Sequence, residues 1–172
     1  HLRYPLIYGP RQLIPMEWRV MRRVLDGRKH IVLPDDGHIL FSRGYAVNMA
    51  HAVLLAVDNA RVSGGKIYNV ADIHQFTLGQ WVEVIANAMD TKLEIVGIPG
   101  DYAYPARELV IGRTEMTHQL FDIYALRADL GYIDIVPPIE GLSETVRWYR
   151  DNPPRMGDEF EAELKVNYET ED

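Results

Sequence analysis

The sequence predicts a mixed α/β fold. Segments typical of strands and segments typical of helices alternate along most of the 172 residues, as they do in folds where helices pack on a sheet. Hydrophobic residues make up 47% of the chain, enough for one core. No run approaches the ~20 apolar residues of a membrane span, and cysteine is absent. We therefore expect a soluble, cytoplasmic protein without disulfides.

The individual elements follow from the spacing of apolar residues. Strands are expected where β-branched and aromatic residues lie between turn residues, and helices where apolar residues recur every three or four positions. The expected strands are 2–8, 31–33, 39–43, 66–70 and 93–98. The expected helices are 15–25, 45–60, 77–89, 122–131 and 138–152. The strands are few and scattered, which leaves α/β and α+β arrangements both open.

Several boundaries carry local signals. Gly9-Pro10 ends the first strand, and the run 35–37 is a turn signal. Thr77 with Gln80 three residues later is the pattern of a capping box, which predicts that a helix begins there. The stretch from 101 to about 113 shows no clear period and is the candidate functional loop.

The negative charge is concentrated at the end of the chain. Residues 155–172 hold seven acidic and two basic side chains, and so carry most of the net charge of −7. This segment follows Pro153-Pro154 and has little periodicity, which is typical of a solvated extension. We expect a folded part over 1–152 and an acidic, flexible tail over 153–172.

Four segments, in order, resemble those of one enzyme family. They are RYPLIYGPRQ near the start, FSRGYAVNMAHAVLLAV, KIYNVAD, and LRADLGYIDIVPPIEGLSETVRWYRDN before the tail. Together they are similar to the C-terminal part of extended short-chain dehydrogenases/reductases, the NAD-dependent epimerase/dehydratase family. The resemblance covers residues 2–152.

The resemblance implies a role and also a missing part. In this family the N-terminal Rossmann half carries a G-x-x-G-x-x-G turn for the cofactor pyrophosphate and a catalytic Y-x-x-x-K; neither pattern occurs in this sequence. The chain would then be the substrate-binding half of an epimerase, dehydratase or reductase, inactive alone and without a catalytic residue of its own. NAD or NADP would be bound mainly by the other half, and a sugar-like molecule would be the substrate.

Site residues are carried over by position from the family. Pro5 would lie against the nicotinamide. Leu6 would line the substrate, where the family has an asparagine that binds a nucleotide-sugar phosphate. The phosphate-binding arginine of the family falls on Phe41, but Arg43 lies two residues further along the same expected strand. Alternate side chains share a strand face, so Arg43 is the candidate anchor for an anionic or polyhydroxylated substrate; the alternative is a surface arginine.

Two further residues are candidates by position alone. Tyr104 and Arg107 lie in the aperiodic loop, where such proteins often place a segment that covers the substrate. The six histidines show no metal-ligand spacing, so no metal is expected.

Two other classes of function stay open. Six basic residues within 11–29 could contact RNA phosphates, although the overall pI of about 5.3 argues against this. They are Arg11, Arg19, Arg22, Arg23, Arg28 and Lys29. The chain could also be an interaction module derived from the same fold, with its strand edges covered by a partner or by a homodimer.

Overall fold

The computed structural model describes residues 1–102, 109, 117–154, 166 and 168–170. In these ranges, six strands form three parallel pairs. Strand β1 (Leu2–Arg3) pairs with β5 (Tyr68–Asn69), β2 (Leu6–Tyr8) with β4 (Arg43–Tyr45), and β3 (His30–Pro34) with β6 (Glu94–Ile98). The fold class is therefore mixed α/β with parallel strands, as predicted.

Within the described residues, six α-helices lie between and after these strands. Their bounds are α1 (Met16–Leu25), α2 (Ala46–Asp58), α3 (Ala60–Ser63), α4 (Leu78–Ala88), α5 (Tyr124–Leu130) and α6 (Pro138–Asp151). In the part of the chain that the structure describes, no helix is long and apolar enough to cross a membrane.

Three expected strands differ from the observed ones, and the one expected at 66–70 is limited to Tyr68–Asn69. The strand expected at 2–8 is divided after Arg3, and proline at position 5 has no N–H to donate to a ladder. The strand expected at 39–43 begins only at Arg43, because Leu40 and Phe41 form isolated bridges to other segments. Those two bridges reach Thr77 and Gln119.

Helix boundaries agree well with the local signals. The Thr77 side chain accepts a hydrogen bond from the Gln80 N–H while the Gln80 side chain accepts one from the Thr77 N–H, so the predicted capping box is present. The Asp122 side chain accepts from the Tyr124 N–H at 2.8 Å at the start of α5. That helix ends at Gly131, whose positive φ of 66° favours glycine.

The apolar residues form two cores. The larger core joins α1, α4 and α6 to strands β2, β3 and β4 and includes the buried residues Trp81, Ile85 and Val146. The smaller core joins β1, β5, α2 and α5 around Met49 and Leu126. Strand β4 pairs with β2 of the larger core and continues directly into α2, which packs in the smaller core.

Candidate functional site

Two predicted site residues lie side by side on neighbouring strands. In the parallel pair β2–β4, Leu6 is opposite Arg43, and Pro5 directly precedes this position. The backbone of Arg43 is held by Gln75, whose side chain accepts from the Arg43 N–H at 2.8 Å and donates to its carbonyl oxygen at 3.2 Å. Strand pairing and these two hydrogen bonds therefore fix the position of the Arg43 backbone, and with it the base of the side chain.

The Arg43 side chain is buried rather than turned toward solvent. Arg43 is only 5% exposed, and its Nε and Nη1 atoms have no hydrogen-bond partner among the residues that the structure describes. Its guanidinium carbon lies 4.7 Å from the centroid of the Trp81 ring and 5.7 Å from that of Phe41. A guanidinium on an aromatic face gains cation–π energy, and this contact leaves the hydrogen-bonding capacity of Nε and Nη1 unused within the described ranges.

A buried carboxyl group provides the opposing charge. Glu17, in the first turn of α1, is 1% exposed, and its side chain accepts a hydrogen bond from Gln12. Burial raises the pKa of Glu17 above its usual value, although the hydrogen bonds and the charge of Arg43 act in the other direction. Burial lowers the pKa of Arg43 to about 10, although the negative charge of Glu17 acts to raise it. Arg43 therefore stays charged at neutral pH.

Asp72 joins the two cores beside this cluster. Its carboxylate accepts hydrogen bonds from the Tyr8 hydroxyl at 2.9 Å, from the Tyr45 N–H at 2.9 Å and from the Asn48 side chain at 2.9 Å. Burial raises the pKa of Asp72 to about 6, helped by the negative charge of Asp134. These bonds tie strand β2, the start of α2 and the end of β5 to one another.

Asn48 extends the same network to α6. Its side-chain oxygen accepts from the N–H groups of Ile135 and Val136 at 3.1 and 3.0 Å, and its amide donates to the Val136 carbonyl oxygen at 2.9 Å. The amide N–H₂ and the amide oxygen of Asn48 are thus both hydrogen-bonded within the protein. This arrangement holds the loop before Pro138 and is structural.

Several expectations concern residues away from this cluster. Tyr104 and Arg107 lie outside the described residues. Across the described ranges, no three histidine, aspartate or glutamate side chains come together as a metal site.

Of the six basic residues considered for RNA, Arg19 and Arg23 are buried, and Arg23 donates to the Arg19 carbonyl oxygen at 2.9 Å. Fewer cations are therefore available on that surface than the sequence suggests.

Three residues of the cluster escape detection from the sequence. Glu17 occupies an ordinary first-turn position of an amphipathic helix and Trp81 an ordinary core position, while Asp72 lies three residues after a short strand. No local pattern marks them, because each becomes part of the site only through contacts across 24 to 64 residues of chain.

Comparisons with known proteins bear on the fold. No family profile matches the sequence. A curated relative, the uncharacterized protein YbjS of Escherichia coli (strain K12), is 26% identical over 144 residues, with 71% of this chain and 42% of the relative covered. The UDP-glucuronic acid 4-epimerase of Bacillus cereus, in complex with UDP-glucuronic acid and NAD, has a TM-score of 0.67 at 16% identity, covering 88% of this chain and 45% of that chain.

A dehydratase has the same fold. The dTDP-glucose 4,6-dehydratase of Bacillus anthracis, in complex with NAD, has a TM-score of 0.61 at 20% identity, covering 95% of this chain and 46% of that chain. This chain thus spans less than half the length of each of these proteins. The fold is that of the C-terminal part of NAD-dependent epimerases and dehydratases.

Proposed function

We propose that this chain is the substrate-binding part of an NAD(P)-dependent epimerase, dehydratase or reductase that acts on a sugar-like molecule. By itself it would be inactive. The similar structures are sugar-nucleotide enzymes bound to NAD, and each is more than twice as long as the region it shares with this chain. The remaining part would supply the cofactor site and the groups that transfer protons.

One observation carries the proposal: helix α2 is apolar on two sides. Met49 and Ala52 face the smaller core and are buried, whereas Val47, Leu54 and Val57 are 43, 60 and 65% exposed. The exposed residues recur at helical spacing and form one stripe, here called the outer face of α2. A helix that is hydrophobic all round is typically buried in a larger structure.

The sheet beside α2 is also incomplete. Strand β1 pairs with β5, and none of the described strands occupies the other edge of β1. Parallel sheets are normally covered by helices on both faces and extended by further strands. A Rossmann half that continues this sheet would place its own helix on the outer face of α2 and bring its cofactor next to β2.

Pro5, between β1 and β2, and Leu6, at the start of β2, suit the roles predicted for them: Pro5 at the nicotinamide and Leu6 at the substrate. Pro5 and Leu6 provide an apolar surface, which suits the flat face of a nicotinamide, and neither side chain can hydrogen-bond a phosphate. When bound, NAD(P) supplies the reversible removal of a hydride. Pro5 would position the ring, while Leu6 would border the substrate.

Arg43 would anchor the substrate. A buried guanidinium with two unpartnered nitrogens is costly unless an acceptor is available, and a carboxylate, phosphate or sugar hydroxyl is such an acceptor. Trp81 would keep the guanidinium plane in place, and Glu17 would limit the cost of its charge. Because Leu6 lacks the donor that the family uses for a nucleotide-sugar phosphate, an anionic or polyhydroxylated substrate without a nucleotide diphosphate fits best.

Tyr104 and Arg107 keep their proposed role as part of a segment that covers the substrate. That role rests on sequence position.

The test compares this chain with the natural protein isolated from its source. We expect an intact mass about twice the 19.7 kDa of the chain, tight NADH binding by the natural protein, and none by the 172-residue chain. Arg43→Met in the natural protein should weaken substrate binding and leave NADH binding unchanged. A natural protein of 19.7 kDa that binds no NADH would overturn the proposal and favour an interaction module.

A further inference from the structure

The cluster around Arg43 contains three buried hydrogen-bond donors that the described residues leave unused. They are the Nε and Nη1 atoms of Arg43 and the indole Nε1 atom of Trp81. The guanidinium carbon lies 4.7 Å from the centroid of the Trp81 ring, so the three donors occupy one region beside the larger core. Buried donors in folded proteins nearly always have a partner. Three unused donors in one region therefore point to a ligand that accepts hydrogen bonds.

Glu17 places a hydrogen-bond acceptor beside these donors. Its carboxylate is buried, and the Gln12 side chain donates to one of its oxygens. Burial raises the pKa of Glu17, whereas the positive charge of Arg43 and the indole N–H of Trp81 act to lower it. Both groups therefore lie near the carboxylate, although the Trp81 N–H does not complete a hydrogen bond to it. An ionised carboxylate has about four lone-pair sites, so it can accept from a further donor.

The charges of Arg43 and Glu17 offset each other. Each of them favours the ionised form of the other, and the ionised pair has no net charge. A bound carboxylate or phosphate would add a second negative charge near Glu17. Burial strengthens that repulsion, because charges interact more strongly where the local dielectric constant is low. A neutral ligand adds no such charge.

Hydroxyl groups match the hydrogen-bonding capacity of the cluster. A hydroxyl oxygen accepts from N–H groups such as those of Arg43 and Trp81, and its own proton can be donated to Glu17. A carboxylate or a fully ionised phosphate has no proton to donate. The Nε and Nη1 atoms also lie on opposite edges of the guanidinium, whereas a carboxylate takes two parallel N–H bonds. Two separate oxygens on one carbon frame therefore suit these donors better than a single carboxylate.

We propose that the Arg43 cluster binds a neutral polyol, with Trp81 and Glu17 as specificity-determining residues: Arg43 and Trp81 donate to ligand hydroxyls, and Glu17 accepts from one of them. This inference rests on the proposed substrate-binding role and selects the neutral class from the anionic and polyhydroxylated molecules compatible with that role. Glu17 disfavours anions through its charge. Trp81 disfavours ligands that lack a hydroxyl at its indole N–H, because that buried donor then stays unpaired.

The experiment compares matched neutral and acidic sugars as ligands of the natural protein at pH 8. The probes are glucose with glucuronate, galactose with galacturonate, myo-inositol, and inorganic phosphate. Dissociation constants are measured by ligand-observed NMR in the presence of saturating NADH. The fluorescence of NADH, recorded separately, reports cofactor binding and so tests the proposed function independently of the sugars.

We expect at least one neutral probe to bind about tenfold more tightly than the acidic probes and phosphate. Glu17→Gln removes the charge and keeps an acceptor oxygen, so the acid should gain at least about fivefold in affinity while the neutral sugar changes by less than about twofold. Trp81→Phe keeps a ring beside Arg43 and removes the N–H, so the neutral sugar should bind about three- to tenfold more weakly.

Trp148→Phe is the matched control, because it also removes an indole N–H. Trp148 packs on the larger core and contacts the Tyr149 ring edge-on, away from the guanidinium of Arg43. We expect no change in the binding of any probe to this variant. Circular dichroism melting establishes that each variant is folded; if Glu17→Gln or Trp81→Phe does not fold, the preference of the unmodified protein decides.

An acid that binds as tightly as its neutral counterpart, in a protein that binds NADH, would overturn this inference and leave the proposed function intact. Failure of every neutral probe to bind would overturn it as well. The expected sugar preference without NADH binding would count against the proposed enzymatic role and retain the polyol site. Unchanged affinity in folded Trp81→Phe would remove Trp81 from that site.

Discussion

The guanidinium of Arg43 lies 4.7 Å from the centre of the Trp81 ring, and its Nε and Nη1 atoms are buried without a partner in the part of the chain that the structure describes. A strand residue and a helix residue 38 positions apart in the sequence thus form a charged platform beside Leu6. This platform is the feature of the chain that most directly suggests ligand binding.

The Arg43 and Glu17 charges should be energetically coupled. Arg43→Met removes a cation that favours the ionised form of the buried Glu17 carboxyl, so we expect a loss of about 3–5 kcal/mol in the free energy of unfolding at pH 8. The loss should be smaller at pH 5, because protonation of Glu17, whose pKa is already raised by burial, removes the uncompensated charge. Urea denaturation at the two pH values measures this difference.

The double variant provides the control for that coupling. Glu17→Gln combined with Arg43→Met should cost less than the sum of the two single changes. Strict additivity of the two single losses would show that the charges do not interact.

Asp72 should make stability fall as the pH rises from about 4 to 6. Its pKa is about 6 in the folded protein against a usual 3.8, so the folded state holds the proton more tightly than the unfolded state. The stability linked to this group is therefore fully present below pH 3.8 and lost as the pH passes 6. The shift corresponds to roughly 3 kcal/mol at most.

The variant Asp72→Asn tests this assignment. The slope of the free energy of unfolding between pH 4 and 6 should become flatter, whereas Asp58→Asn, at an exposed position near the end of α2, should leave the slope unchanged. An unaltered slope in Asp72→Asn would mean that another group titrates in this range.

Gly141 should not tolerate a methyl group. A Cβ at this position in α6 would lie 2.6 Å from Cγ of the buried Tyr45 ring, so we expect Gly141→Ala to destabilise the fold by about 1–3 kcal/mol. Gly79→Ala in α4 is the matched control, since its nearest contacts would be 3.4 Å away. Alanine is a better helix former than glycine, so Gly79→Ala should leave the Tm unchanged or raise it. Gly141→Ala should lower the Tm clearly in the same thermal unfolding measurement.

The outer face of α2 should mediate association. Exposed apolar stripes of this kind drive assembly or aggregation, so the isolated chain should self-associate with rising concentration in sedimentation velocity. Leu54→Glu with Val57→Glu should keep it monomeric at little cost in stability, because both side chains are exposed. Ile139→Glu, an equally exposed apolar position on α6, should not prevent self-association; a monomeric wild-type chain at all concentrations would contradict the prediction.

Much of the fold follows from local sequence. The capping box at Thr77, the helix that ends at Gly131 and the helix that begins at Pro138 were all predictable, because each depends on residues within one or two turns of the chain. The division of the first strand and the short length of β4 were not predicted, since they depend on which partners the strands find.

Local sequence patterns were enough to predict the alternation of strands and helices, the concentration of acidic charge near the end of the chain and the likeness to the C-terminal part of a dehydrogenase-type fold. Three features depend on the packed structure. Arg43 is buried against the Trp81 ring, and the Glu17 carboxyl interacts with its charge. Asp72 accepts hydrogen bonds from Tyr8, Tyr45 and Asn48. The physical reason is that propensity and capping act between neighbours in the chain, whereas burial, desolvation and charge coupling depend on which distant residues the packed core brings together.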